Sequence, residues 1–247
     1  MSKLKLIIIG VVSYLLFSLL LTPASWWLKL ATLPPQLQLG SVSGTLWQGN
    51  VAGVRYEQLQ FDTLSWQLNG WQLFTGKFQF DVLSGSVQNA TQPYLKGKAS
   101  YGIGGMGLQS TLLKLPVSQI LPMLSLPLPV DATGELVLDV ERFSQGQPWC
   151  QQLAGSASWQ NARLQTPTAT WLELQSLFAQ LSCDNGTVTL TTDGNNLLGL
   201  DIKAVINAEQ LLVNGTLKPD ASMPKEVHQA MQFLGRPDEQ GRYAIKL

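Results

Sequence analysis

Histidine is almost missing from this chain: His228 is the only one among 247 residues. A zinc centre needs three or four converging Cys, His or carboxylate ligands, and His228 has no second histidine to join it. The same scarcity excludes a Ser-His-Asp hydrolase, which would have to use His228. The G-x-S-x-G turn that presents a nucleophilic serine is also absent. His228 lies beside Val227 on a helical flank and is read as structural. Charge is scarce as well. Asp, Glu, Lys and Arg make up 13% of the chain, with no net charge, against about 25% in a typical domain. Without clustered Lys and Arg there is no basic field for phosphates, which excludes nucleic-acid binding. The densest acidic group is Asp131, Glu135, Asp139 and Glu141. It falls on an alternating stretch backed by Leu136, Leu138 and Val140, so it reads as a water-facing strand surface rather than a glycosidase carboxylate pair. Gly102-Ile103-Gly104-Gly105-Met106-Gly107 lacks a P-loop lysine and Rossmann spacing, and reads as a flexible loop or bulged strand. No catalytic, cofactor-binding or metal-binding residue is expected, and the chain is read as a non-enzyme.

Cysteine is limited to Cys150 and Cys183, without CxxC spacing. Two cysteines in an exported domain can form one bridge. It would close a loop of roughly 30 residues, worth about 3–4 kcal/mol in the chain-entropy model. Two free buried thiols are the other reading. The amino-terminal segment favours the bridge, because it argues for export.

That segment begins with Lys3 and Lys5 and continues as an uninterrupted apolar run from Leu6 to Leu21. Extended to Trp27, the uncharged stretch is about 22 residues, enough for a hydrocarbon core of ~30 Å. The lysines keep the amino terminus cytoplasmic, and Trp26 and Trp27 fit an aromatic belt at the far interface. A cleaved signal peptide is the competing reading, but Thr22-Pro23-Ala24 is a poor cleavage site. The expected organisation is a cytoplasmic stretch at 1–5, a transmembrane anchor at 6–27, and a periplasmic remainder. Leu33-Pro34-Pro35 reads as a stiff exit.

The remainder alternates apolar and polar residues with period two, the strand signal. Leu64-Trp66-Leu68, Phe78-Phe80-Val82, Leu136-Leu138-Val140, Ala157-Trp159, Val188-Leu190 and Leu200-Ile202-Ala204-Ile206 each form such a set. Glycines at 44, 76, 97, 134, 155, 186 and 215 are expected to open strands. Two stretches have helical spacing instead: Val117, Ile120, Leu121 and Leu124, and Val227, Ala230, Met231 and Leu234. Pro122 makes the first short or bent. Ser222, Pro224, Gly235 and Pro237 punctuate the second. The two lie about 110 positions apart, an offset that also relates Gly76 to Gly186, Phe61 to Trp171, Leu64 to Leu174 and Phe80 to Leu190. The predicted fold is therefore mainly β. It has two duplicated strand-rich units, 33–126 and 131–247, each closed by a short amphipathic helix and joined by Leu126-Pro127-Leu128-Pro129. Chance alignment of two β stretches is the alternative. Trp47, Trp66, Trp71, Trp159 and Trp171 fall in strand-like runs, as core residues or as the lining of an apolar groove.

Gly40-Ser41-Val42-Ser43-Gly44-Thr45-Leu46-Trp47-Gln48-Gly49 lies soon after the anchor. Phe233-Leu234-Gly235-Arg236-Pro237-Asp238, with Gly241-Arg242-Tyr243-Ala244-Ile245, closes the chain. Both resemble segments of the type II secretion system protein N family, and the resemblance covers essentially the whole chain. It implies a single-pass inner-membrane component of the general secretory pathway, which moves folded proteins from periplasm to exterior. It brings no catalytic residues. Gly44, Thr45, Leu46, Trp47 and Gly49 match the motif and are read structurally, the two glycines bracketing a short strand with Trp47 packed. The expected function is an accessory secretion subunit whose periplasmic domain contacts other secretion components. The alternative is a periplasmic carrier of lipid or another hydrophobic ligand. The two share membrane attachment.

Overall fold

A strand with one apolar and one polar face needs neighbours to satisfy its backbone and cover one side. In the computed structural model of this chain, thirteen strands do this in a single antiparallel sheet. The structure describes residues 3–30, 33–123, 131–165, 171–206, 211–231 and 235–246. Two helices lead in, α1 (Lys3–Leu21) and α2 (Ala24–Leu30). The strands are β1 (Leu37–Gly44), β2 (Gln48–Tyr56), β3 (Leu59–Leu68), β4 (Lys77–Ser84), β5 (Tyr94–Gly102), β6 (Gly105–Pro116), β7 (Ala132–Gln145), β8 (Cys150–Gln165), β9 (Trp171–Asp184), β10 (Thr187–Thr191), β11 (Asp201–Ile206), β12 (Leu211–Leu217) and β13 (Tyr243–Lys246). Their order in the sheet is their order in the sequence.

Such a meander has two ends. The β1–β2, β3–β4, β5–β6, β7–β8, β9–β10 and β11–β12 connections lie at one, and the intervening connections lie at the other. An antiparallel bridge between Pro23 and Thr45 holds the end of α1 beside the first of these connections. Pairing continues directly from β6 to β7, for example Leu113 with Leu138. The two expected units therefore share one sheet. Their expected joint at 126–129 lies outside the described residues.

Several strands change phase partway. Val51 and Val54 both bury their side chains though they stand three apart. Gly53 between them has φ 80°, which glycine adopts without steric cost. Trp159 and Ala162 likewise share one core, with Asn161 at φ 50° between them. That core joins Ala162 and Leu174 of β8 and β9 to Met223 and Val227, with Leu164, Leu172, Leu197, Leu198 and Met231 packed around it.

Val227 and Met231 belong to α4 (Lys225–Met231), which applies its apolar side to the sheet. Ser222 does not cap this helix; its backbone N–H donates to Asp220, and Pro224 stands just before the first helical residue. The Ser222 hydroxyl and N–H hold the Asp220 carboxyl below its usual range. Leu234 lies outside the described residues. The other helical stretch is one α turn, α3 (Val117–Ile120), continued as a 3-10 turn, Leu121–Met123, that contains Pro122. Pro122 cannot donate to a continuing α-helix, which accounts for the tighter turn; Leu124 lies outside the described residues.

The amino-terminal segment departs from expectation. The helix does not run on to Trp27. It stops at Leu21, the Thr22 hydroxyl and N–H both bond the Ser18 carbonyl, and Pro23 separates α1 from α2. The apolar part from Leu6 to Leu21 is about 24 Å long at 1.5 Å per residue. Among the described residues no helix is long and apolar enough to cross a membrane. Trp26 and Trp27 both lie on α2, where Trp26 is exposed and Trp27 borders the sheet.

Only Gly76 and Gly186 of the expected strand-opening glycines stand directly before a strand. Gly97, Gly155 and Gly215 lie inside β5, β8 and β12, where neighbours occupy the space a side chain would need. At Gly97 the neighbour is the Thr111 side chain.

Candidate functional site

Two features stand out: the loop made by the Gly-Thr-Leu-Trp-x-Gly motif and an apolar groove beside it. The motif is a turn rather than the expected short strand. β1 ends at Gly44, whose φ of 92° is a left-handed conformation that side chains disfavour. The Thr45 N–H donates to the Gln48 carbonyl at 2.8 Å. Its hydroxyl accepts from the N–H groups of Trp47 at 3.3 Å and Gln48 at 3.4 Å. Such side-chain bonds to nearby backbone are what make threonine a turn former. The Leu46 carbonyl accepts from the Trp66 indole N–H at 3.2 Å, and the Trp47 carbonyl accepts from the Leu68 N–H at 2.7 Å. Gly49, the second residue of β2, then passes beneath the Trp66 ring. A Cβ there would overlap the ring and stand 2.7 Å from the Ser43 carbonyl. Gly44 and Thr45 thus close the turn, Trp47 ties it to β3, and Leu46 and Gly49 seat the Trp66 ring on it. The Trp47 indole nitrogen is buried without a hydrogen-bond partner.

The groove lies between α2 and the first four strands. Ala24, Trp27 and Leu28 of α2, at i, i+3 and i+4, face Leu37, Leu39, Val51, Val54, Leu64, Trp66 and Phe80, with Leu33 and Leu46 at its margins. Its volume is about 430 Å³ and only apolar side chains line it. A larger depression of about 860 Å³ is lined by Ser65, Gln67, Asp81, Lys96 and Lys98 together with Val82, Leu83 and Trp66, the last of which also borders the groove. The smaller groove is the stronger candidate for an apolar occupant, because no polar side chain lines it, whereas charged and polar side chains such as Asp81, Lys96 and Lys98 share the larger depression with apolar ones.

Neither feature carries acid–base or nucleophilic chemistry. Among the described residues no group of three His, Cys, Asp or Glu could hold a metal ion. His228 is exposed on α4. Glu135 of the acidic stretch is engaged with Lys114 of β6 at 3.2 Å. Cys150 and Cys183 are joined by a disulfide between the start of β8 and the end of β9, with Cα atoms 6.1 Å apart. The N–H groups of Trp149 and Cys150 both donate to the Gly186 carbonyl, at 3.0 and 3.1 Å, fastening the same corner.

The carboxy-terminal motif is a second turn. The Asp238 carboxylate accepts from the N–H groups of Gln240 and Arg242, at 2.9 and 2.8 Å, and from the Arg242 guanidinium at 3.0 Å. The Arg242 backbone N–H is the main cause holding the Asp238 carboxyl below its usual range, with the guanidinium adding to it. This turn delivers Tyr243 to β13. Phe233 and Leu234 of the motif lie outside the described residues.

Sequence reasoning missed α2 and its groove, because Trp27 was assigned to a membrane belt. The signal was the i, i+3, i+4 spacing of Ala24, Trp27 and Leu28. Of the strand-assigned tryptophans, Trp66 and Trp159 are half-buried strand residues. Trp47 is in the motif turn, Trp171 is an exposed strand end, and Trp71 is exposed in a 3-10 segment, Gly70–Thr75.

Comparison with known proteins agrees with both motifs. The family model described as type II secretion system (T2SS), protein N, matches residues 35–246. A type II secretion system protein N of Aeromonas hydrophila is 34% identical, over 99% of this chain and 97% of its own length. One of Vibrio cholerae serotype O1 is 32% identical, over 90% and 88%. One of Klebsiella pneumoniae is 32% identical, over 93% and 88%. No solved structure matches the chain. With the turn motif, the closing motif and near-complete coverage in agreement, the chain belongs to the type II secretion system protein N family.

Proposed function

We propose that this chain is an accessory subunit of type II secretion. It attaches to the inner membrane through α1, holds its sheet in the periplasm, and supports export of folded proteins by contacting other secretion components. The observation that carries this reading is the family match across almost the whole chain. The sheet suits a contact role, because β1 and β13 each pair with one strand only among the described residues. An unpaired edge can receive a strand from a partner.

Attachment through α1 is supported by its surface. Leu6, Ile7, Ile8, Ile9, Val11, Val12, Phe17 and Leu21 are all exposed, so this apolar helix finds no covering partner for them among the described residues. A short apolar helix is accommodated by local bilayer thinning and by lysines reaching for the interface. Lys3 and Lys5 are placed for that, and they orient the amino terminus towards the cytoplasm. No enzymatic role is assigned.

The test is a strain lacking the gene, complemented with chains carrying a photo-crosslinking residue along the β1 edge. Loss of exoprotein release on deletion, and capture of a secretion component from β1, are expected. Normal release together with no captured secretion component would refute the reading.

The groove favours a second reading, binding of a lipid or another hydrophobic ligand. At about 430 Å³ it falls within the roughly 300–1,000 Å³ of small-ligand sites. Native mass spectrometry of the full chain in detergent tests it. A retained phospholipid, lost on Leu64→Asp, supports binding; a chain consistently free of lipid argues against it.

A further inference from the structure

The exposed apolar residues of the sheet are unevenly placed. Trp71 and Phe74, in the β3–β4 connection, are 82% and 86% exposed, and Ile103, at the tip of the β5–β6 turn, is 100% exposed. Tyr101 and Met106 flank that tip, and Trp149 stands exposed in the β7–β8 connection. The meander puts these connections at one end of the sheet. It is the end where the Pro23–Thr45 bridge holds the carboxy-terminal end of α1. At the opposite end Val87 is exposed in a connection, at 51%, and Tyr56 and Trp171 at strand ends, at 43% each, so the most exposed apolar side chains of the sheet are those at the α1 end.

Charge follows this division in part: the connections at 45–47, 69–76, 103–104 and 146–149 contain no Asp or Glu, whereas Asp184 closes β9 at the same end and Glu209 lies in the sequence between β11 and β12. The connections at the opposite end carry Glu57, Asp193, Asp220, Asp238 and Glu239.

From this placement we infer that the α1 end of the sheet is a membrane-docking edge, whose apolar turn tips enter the outer leaflet of the bilayer that holds α1. The inference rests on the proposed anchoring through α1. Two observations favour a bilayer over a protein as the occupant. The side chains stand on separate turns in a row, which suits a plane of lipid better than one contiguous protein interface. Trp, Tyr and Phe, the types that settle at the headgroup boundary, predominate among them. The row is also rigidly mounted. Trp71 and Phe74 stack with ring centroids 5.9 Å apart, in a segment capped by Asn69 and by Gly76 at φ 72°.

The experiment uses the full chain with single introduced cysteines, Ile103→Cys, Phe74→Cys and, at the opposite end, Val87→Cys. The native cysteines are bridged and none is free among the described residues, so a polarity-sensitive dye reports one position. Each labelled chain is reconstituted into vesicles of phosphatidylethanolamine and phosphatidylglycerol. The expected result is co-flotation that survives alkaline extraction, with blue-shifted emission at positions 74 and 103 that doxyl lipids quench, and aqueous emission at 87. Co-flotation with all three dyes in water would overturn the docking edge and leave the anchor standing. A blue shift equal at all three positions would overturn it too, since the domain would then be adsorbing without orientation. Failure to co-float would remove the anchor and the inference with it.

Discussion

Replacing Gly49 by alanine adds one methyl group at the point where the motif turn meets Trp66. The new Cβ would overlap the Trp66 ring and lie 2.7 Å from the Ser43 carbonyl. The ring must then lift, and its indole N–H leaves the Leu46 carbonyl, 3.2 Å away in the native turn. Forcing a methyl into a filled site costs about 1–3 kcal/mol. Losing the hydrogen bond adds about 0.5–1.5 kcal/mol. Restricting the unfolded chain offsets about 0.4–1 kcal/mol of this. The net expectation is a loss of about 2 kcal/mol, which for a domain of this size lowers Tm by about 4–8 °C. Thermal unfolding of the full chain in detergent, followed by near-ultraviolet circular dichroism, measures it. The decisive control is the same change in a Trp66→Ala background, where the ring overlap is gone and only the approach to the Ser43 carbonyl remains, so the added cost should shrink. A Gly49→Ala chain that melts within about 1 °C of wild type, or one whose cost is undiminished without Trp66, would refute this account of the motif.

Reducing the Cys150–Cys183 bridge, which spans 33 residues, or replacing both cysteines by serine, should cost about 3–4 kcal/mol. Native protein should run differently on reducing and non-reducing gels, and thiol labelling without reductant would show the bridge to be absent. Glu135→Ala should destabilise by about 1–2 kcal/mol, because it strands a largely buried Lys114. Glu173→Ala should cost under about 1 kcal/mol, since its partner Arg163 and Glu173 itself are both exposed; equal losses in the two melts would contradict the burial difference. Asp238→Ala should loosen the 238–242 turn and the β13 pairing that follows, read as faster amide exchange at Tyr243 and Ile245. Because the folded Asp238 carboxyl is held below its usual range, its contribution is fully present above the ordinary carboxylate value of about 3.9. It is lost as pH falls through the lowered one. Amide exchange at those two residues that is indifferent to acid would count against this.

The sequence was most readable where alternation stays in phase. β4, β7, β10 and β11 lie where Phe78-Phe80-Val82, Leu136-Leu138-Val140, Val188-Leu190 and Ile202-Ala204 put strands, but the faces were read less well: Phe78 is 47% exposed, while Val137 and Thr189, on the sides read as polar, are buried. It was least readable where phase changes inside one strand. The pairs Val51/Val54 and Trp159/Ala162 break period two, since Gly53 and Asn161 adopt positive φ and turn the following side chain back to the same face. Period counting sees two fragments there, whereas hydrogen bonding makes one strand of 9 residues in β2 and one of 16 in β8. The 3-10 segment Gly70–Thr75 hid behind Trp71 and Phe74, aromatic residues that usually mark strands. Its true punctuation was the Asn69 cap and the left-handed Gly76. α2 was hidden for a different reason. Thr22-Pro23 interrupts a stretch that hydropathy alone treats as continuous, and hydropathy cannot tell a lipid-facing tryptophan from one that covers a sheet. The motif residues were correctly picked out as structural, but their role as a turn under Trp66 depends on a residue about twenty positions away.

The strict agreement between chain order and sheet order bears on how the domain is made. Every new strand adds to the one just finished, so no pairing waits for a segment still to arrive. Ordering of this kind keeps contacts local and loop-closure costs low. A polypeptide delivered amino-terminus first could therefore build its sheet progressively, starting from the Pro23–Thr45 clasp. The growing border would hold unpaired backbone groups only until the next segment emerged.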